Sequence, residues 1–384
     1  MVQFTFKEES GIIKISDQQR NVVNYDLEGR PVFFSINAKT YRRGLNNRLI
    51  NISWEGEYRI VNQIHGEESD AIIDQGLSML RSSYESLQPG SEPVNMALAG
   101  RNLAWLKEDA RKISSLYNVY PILPPEASHC VYIEATSGAN WNLATIAGAY
   151  AKREFTQKQE SEIAFHVTSV KETLGRGISS RREVFLGDTN VLNMDQKLLI
   201  RTIELLKSEF NLPVVASFDM YTTPKKKNMI HFRDMKDHGL NKVVVFVQSG
   251  SYKVLRLFNE HTNATETLNL VNNMKDSGLS VDIVALLGTG GLKYSRDHEE
   301  GITNMVSQML LDQGDTIYLS PMVEDADPWY AGMAKQNSLG RLSAEQKHDQ
   351  MIKIAESVKK SFSEINGKPF PGKITEFDMR ETIY

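Results

Sequence analysis

Apolar positions divide this chain into two kinds of pattern. Near the N-terminus they come in short runs, Phe4–Phe6, Ile12–Ile15, Val32–Ile36 and Leu49–Ile52, separated by Gly, Asn and Asp, which predicts short strands. From Glu67 to Leu87 they fall at helical spacing (Ile73, Leu77, Leu80, Tyr84, Leu87) and stop at Pro89-Gly90. A second helical pattern covers Gly100 to Leu116. The prolines that follow, at 121, 124 and 125, mark the clearest boundary in the sequence.

Beyond that boundary the pattern alternates strand and helix. Val131–Ala135, Glu183–Leu186, Val214–Phe218, Val243–Val247, Val281–Leu287 and Thr316–Leu319 are runs rich in Val, Ile and Leu. They lack clean alternation, as strands buried on both faces do. Helical stretches lie between them at Thr156–Leu174, Asp195–Phe210, Lys227–His238, Val254–Phe258, Glu266–Ser277 and Glu299–Leu311. Right-handed crossovers through those helices give a parallel sheet. The expected fold is α/β: a partial, six-stranded parallel (β/α) barrel over residues 121–330, with an N-terminal α+β extension (residues 1–120). A C-terminal cap follows (residues 331–384), made of an amphipathic helix over Ala344–Ile365 and a β-rich tail.

Composition changes this picture little. Of the 384 residues 41% are hydrophobic and 24% charged, and the formal net charge is −4, so no general field favours nucleic acid or an anionic membrane. No apolar run approaches the ~20 residues of a membrane span, and Met1–Lys7 lacks the pattern of a signal peptide. A cytoplasmic protein is expected. The single cysteine, Cys130, excludes an intrachain disulfide and is expected to act as a small buried hydrophobe.

Small and polar residues gather at the carboxyl ends of the six strands, where parallel α/β folds bind ligands. They are Gly187-Asp188-Thr189-Asn190, Ser217-Phe218-Asp219, Gln248-Ser249-Gly250-Ser251, Gly288-Thr289-Gly290-Gly291 and Ser320-Pro321. Asp188 and Asn190 serve equally well as helix caps. The first strand leads into Thr136-Ser137-Gly138-Ala139-Asn140-Trp141-Asn142-Leu143-Ala144-Thr145-Ile146-Ala147-Gly148-Ala149-Tyr150.

With cysteine at Ala139, Ala144 and Ala147 that segment resembles the cluster loop of radical S-adenosylmethionine (radical SAM) enzymes. The resemblance spans roughly residues 124–330 and is nearest to the branch of coproporphyrinogen oxidase-like and tRNA-modifying members. It departs in placing four residues, Asn140 to Leu143, between the first two cluster positions, where three are commonest. It implies a [4Fe–4S] cluster and SAM as cofactors, an electron donor, and a radical that takes hydrogen from an unknown substrate, a small molecule or peptide. It implies SAM contacts at Gly187, Asp188 and Asn190 for the methionine group, with Asp where the family has Glu. Gln248 and Ser249 would meet the ribose or carboxylate, with Gln in place of Glu, and Tyr150 and Gly288 would lie near adenine, with Ile146 packing on it.

Alanine offers a metal no lone pair, so a chain carrying Ala139, Ala144 and Ala147 is expected to hold no cluster there and to be inactive in reductive SAM cleavage. Three alanines among intact neighbours read as site-directed substitution rather than drift. Two other classes stay open: a natural cluster-free SAM- or nucleotide-binding protein, and a metal-independent barrel lyase or isomerase. The latter wants a lysine or paired carboxylates at the strand ends, where the sequence offers only Asp188 and Asp219. The scattered histidines show no helical metal-ligand spacing. His298, after the glycine turn, is expected at the surface or as a cap, with substrate contact the less favoured role. The basic segment Tyr41-Arg42-Arg43-Gly44-Leu45-Asn46-Asn47-Arg48 reads as a solvated turn or as a grip for an anionic group, and Lys225-Lys226-Lys227 as a solvated run.

Overall fold

A computed structural model of the chain describes residues 4–56, 58–86, 98–118, 123–138, 154–188, 190–219, 227–258, 262–324 and 328–384. Two compact units emerge. The first takes residues 1–131, 165–183 and 380–384, and the second residues 132–164 and 184–379. The chain returns to its first unit twice, a discontinuity that contiguous sequence segments do not represent.

The first unit is built on a seven-stranded antiparallel meander: β1 (Thr5–Glu9), β2 (Ile12–Ser16), β3 (Val22–Asp26), β4 (Pro31–Ile36), β5 (Lys39–Arg43), β6 (Leu49–Glu55) and β7 (Tyr58–Ile64). Two helices follow, α1 (Gly66–Ser86) and α2 (Leu103–Ser114). Alternation sends Ile13, Ile15, Val23, Tyr25, Phe34 and Tyr41 into one core with Ile73, Leu77 and Leu80 of α1. The opposite face carries Ile50, Val61 and Ile383. Arg30 sits between β3 and β4 at 2% exposure. Its guanidinium forks onto Asp109 of α2 (2.7 and 2.8 Å), reaches Asp26 (3.1 Å), and donates to the carbonyls of Thr173 and Leu174.

The second unit holds a parallel sheet whose seven strands lie side by side in chain order. Its strands are β8 (Cys130–Glu134), β11 (Glu183–Gly187), β12 (Val214–Asp219), β13 (Leu240–Val247), β14 (Ser280–Leu287), β15 (Thr316–Pro321) and β16 (Lys373–Glu376). A two-stranded ribbon, β9 (Thr136–Ser137) with β10 (Thr156–Gln157), follows β8. The six strands expected from sequence are all present, and β16 from the C-terminal tail adds a seventh, parallel to β15.

Helices connect successive strands: α3 (Glu160–Leu174), α4 (Gln196–Phe210), α5 (Met229–His238), α6 (Tyr252–Leu257), α7 (Ala264–Asp276) and α8 (Ser295–Val306). Because sheet order follows chain order, right-handed crossovers place α4 to α8 on one side, and the sheet is an open, partial (β/α) barrel. Two more helices close the unit, α9 (Pro328–Gln336) and α10 (Ala344–Asn366), the latter started by a Ser343/Gln346 capping box. Among the described residues no helix is long and apolar enough to cross a membrane.

Candidate functional site

Strand register decides which residues share the side of the sheet away from the connecting helices. Phe185 pairs with Val215, Val244 with Asp282, Phe246 with Val284, and Val284 with Tyr318. An ideal Cβ on Gly187 would fall 2.5 Å from the Tyr132 ring, so Tyr132 and Gly187 are same-face neighbours, and Glu134 follows two residues along. The inner face therefore carries Tyr132 and Glu134, Phe185 and Gly187, Val244 and Phe246, Val284 and Leu286, and Tyr318 and Ser320. At its amino end Asp282 is buried and bridged to Lys242 (2.9 Å), with the Thr316 N–H donating to it (2.8 Å). That pair stitches three strands together and is structural.

The carboxyl end is the candidate site. It carries the ends of β11 (Gly187, Asp188, Asn190), β13 (Gln248, Ser249) and β14 (Gly288), all at the carboxyl edge of one sheet. Tyr150, Ile146 and the three positions Ala139, Ala144 and Ala147 lie outside the described residues. Asp188, Gln248 and Ser249 are each 2% exposed, and Asn190 is fully buried with a left-handed backbone.

Two groups that the resemblance assigns to SAM already have protein partners. The Ser249 Oγ–H donates to His298 Nδ1 (2.9 Å), while the same oxygen accepts the Ser251 N–H (3.0 Å). The Gly288 N–H donates to Gln350 Oε1 of α10 (2.8 Å). Lys347, one turn earlier on α10, lies over Gly288, with its Cε 2.7 Å from where a Cβ would stand, and its ammonium bonds Met322 O (2.8 Å) and Glu324 (3.2 Å). Gly288 has φ +82°, so glycine is demanded by both conformation and crowding. In this structure the Lys347 stem packs directly against its backbone. Gly250 likewise meets Gly301 of α8, where a Cβ would come within 2.0 Å of the carbonyl oxygen. Close packing against α8 thus accounts for the small residues of the Ser249-Gly250-Ser251 segment.

His298 departs from both expectations. It lies inside α8, fully buried. Nε2–H donates to Leu286 O (2.8 Å) and Nδ1 accepts from Ser249, which defines one neutral tautomer. Burial pushes its pKa down to about 4.

Sequence reasoning missed one pair. Glu134, at the end of β8, is 1% exposed and receives Lys158 Nζ at 2.6 Å, so a lysine and a further carboxylate do stand at this rim. Glu134 is hidden in an apolar strand, and Lys158 comes 24 residues later, beyond β10. Only the two-residue periodicity of β8 could have flagged Glu134. Lys227, in the run expected to be solvated, bonds Met194 O (3.3 Å) and Gln196 (2.7 Å); burial brings its pKa down to about 8.

The chain's one thiol, Cys130, is buried, and among the described residues no group of three His, Cys, Asp or Glu side chains could hold a metal ion. A cluster held by three thiolates therefore does not fit this chain.

No protein-family model matches the chain, and no curated protein does. Similar solved structures include coproporphyrinogen III oxidase from Escherichia coli, a radical SAM enzyme, at 13% identity and TM-score 0.45, covering 66% of this chain and 56% of that one. A variant of spore photoproduct lyase aligns at 12% identity and TM-score 0.44, covering 71% and 85%. Methylornithine synthase aligns at 11% identity and TM-score 0.42, covering 83% and 81%.

Proposed function

We propose that this chain is a radical SAM-type scaffold without the means to hold its cluster, and that in this form it is inactive in reductive SAM cleavage. The observation that carries the reading is positional. The segment with Ala139, Ala144 and Ala147 leaves the carboxyl end of β8, the first strand of an open parallel sheet wound in one direction. Its flanking Thr136, Gly138, Asn140, Trp141 and Tyr150 keep the family pattern. The cysteine-bearing form would act on a small molecule or peptide and take its electron from a separate donor. SAM affinity of the present chain is weak in this reading. The open iron that would chelate it is missing, and the Gly288 N–H and Ser249 Oγ–H are already engaged.

The test restores cysteine at 139, 144 and 147 together, followed by anaerobic reconstitution with iron and sulfide and then SAM with dithionite. 5′-Deoxyadenosine from the restored protein, and none from the present chain, supports the reading. Failure of the restored protein to assemble a cluster overturns it and favours a cluster-free SAM- or nucleotide-binding protein. The Glu134–Lys158 pair favours a further reading, metal-independent lyase or isomerase chemistry, because it supplies the strand-end lysine that class needs. A turnover by the present chain that Glu134→Gln abolishes would select it.

A further inference from the structure

The antiparallel meander of the first unit has two edges, and they are built differently. β1 carries Lys7, Glu8 and Glu9, all exposed, with Lys7 and Glu9 joined as an ion pair. Charges on an edge discourage pairing with another strand. The other edge is β7, Tyr58-Arg59-Ile60-Val61-Asn62-Gln63-Ile64, which has no proline and one charged residue. That residue, Arg59, is held by Glu381 at 2.6 Å.

Register fixes which backbone groups β7 offers. The Gly44 N–H donates to Arg48 O (2.9 Å), so alternate residues from there, Ile50, Ile52 and Trp54 of β6, turn their backbone groups toward β5. Leu49, Asn51, Ser53 and Glu55 therefore bond β7, through their partners Ile64, Asn62, Ile60 and Tyr58. Arg59, Val61 and Gln63 are left with N–H and C=O groups directed away from the sheet. Among the described residues nothing bonds those groups, and β7 pairs with β6 alone. The exposed side chains of Asn62 and Gln63 mark this edge as open to water.

We infer that β7 is a dimerisation edge, pairing antiparallel with β7 of a second copy of this chain about a two-fold axis at Val61. Val61 then meets its own equivalent, while Arg59 and Gln63 meet Gln63 and Arg59 of the second copy. Each of these pairs exchanges two N–H···O bonds. Side chains agree with that register. On the face opposite the α1 core one row runs Ile52, Val61, then Val61 and Ile52 of the second copy, all β-branched. No like charges meet, because Arg59 stands opposite a glutamine and its charge is matched by Glu381. β1 fails the same test, since antiparallel pairing about its central residue sets Lys7 against Lys7. Any extended peptide can take the backbone bonds; the matched row at Val61 and the absence of a charge clash favour the chain itself.

The test sediments the full chain across the micromolar range, where a reversible monomer–dimer equilibrium is expected. Hydrogen exchange resolved to single amides should gain protection at Arg59, Val61 and Gln63 as the dimer forms. Ile60 and Asn62, already bonded to β6, should not change. Gln63→Lys sets a lysine against Arg59 of the second copy at two symmetric places and should weaken the dimer about 10-fold, whereas Gln63→Glu should not weaken it. Val61→Pro removes the N–H at the axis, which has no partner within the described chain, and should abolish the dimer while circular dichroism stays native. A chain monomeric throughout leaves the edge to a different peptide and overturns the inference. So does a dimer that leaves the three amides unprotected, or one equally tight in folded Gln63→Lys.

Discussion

His298 offers the sharpest test of how the second unit is held together. Its neutral ring joins α8 to the ends of β13 and β14 through Ser249 and Leu286; loss of the Nε2 proton would break the bond to Leu286 O, and burial opposes a second proton at Nδ1. The folded pKa is about 4 against 6.5 for a free histidine. A depressed histidine pKa means that the unfolded chain takes up the proton first. Stability is therefore full above the unfolded value and falls with pH between 6.5 and about 4. From pH 7 to pH 5 that uptake costs about 2 kcal/mol, and the full shift is worth about 3 kcal/mol. His298→Phe should be less stable near neutrality, because Leu286 O and the Ser249 hydroxyl lose their partner at about 1–3 kcal/mol each. The variant has no imidazole to titrate there, so the wild-type advantage should shrink by about 2 kcal/mol between pH 7 and pH 5. Other groups, including His129, are common to both proteins and cancel in the difference. Urea unfolding across this range, followed by circular dichroism, measures it. Parallel pH curves for the two proteins would refute the neutral-bridge account.

Other perturbations reach different parts of the molecule. Arg30→Met strands Asp26 and Asp109 in the first core and should cost about 3–5 kcal/mol, read as accelerated hydrogen exchange in β3, β4 and α2; replacing both aspartates as well should recover part of it. Gly187→Ala forces a methyl to within 2.5 Å of the Tyr132 ring and should cost about 1–3 kcal/mol, a penalty that Tyr132→Leu in the same chain relieves in a thermal melt. Gly250→Ala meets the Gly301 backbone rather than a side chain, so its loss should match or exceed that of Gly187→Ala in the same melt.

How much of this was legible beforehand depends on what each residue faces. Strands β8 and β11 to β15 are buried on both sides, so their Val, Ile and Leu runs are continuous and sequence reasoning finds all six. The N-terminal meander is harder because polar residues interrupt its strands. Lys39–Arg43 shows a single apolar residue, Tyr41, and Val22–Asp26 places Asn24 between Val23 and Tyr25, so β3, β5 and β7 are missed. The tail was expected to be β-rich, but with Ile374 as the single apolar residue of Lys373–Glu376 nothing in it points to β16 as a seventh strand parallel to β15. The candidate rim was legible as a set of strand ends, because topology alone brings them together. Its electrostatics were not. Ser249 and His298 are 49 residues apart, Gly288 and Gln350 are 62 apart, and Glu134 meets Lys158 from beyond β10.

Each of those pairings removes a polar group from the pool that a ligand could use, which bears directly on the functional reading. A serine or a glycine amide counted as a cofactor contact from its place in a motif is worth little if the fold has already bonded it. Gly288 is the clearest case. Its N–H, its crowding and its conformation are all explained by Gln350 and Lys347 of α10. For SAM to use that amide, Gln350 would have to give up the bond and α10 its footing over β14. Gln350→Ala separates the possibilities. If the amide serves only α10, the variant loses stability and SAM affinity does not rise. If α10 competes with the cofactor for the end of β14, freeing the amide should tighten SAM binding even as stability falls. Calorimetry and a thermal melt on the same variant read the two effects independently.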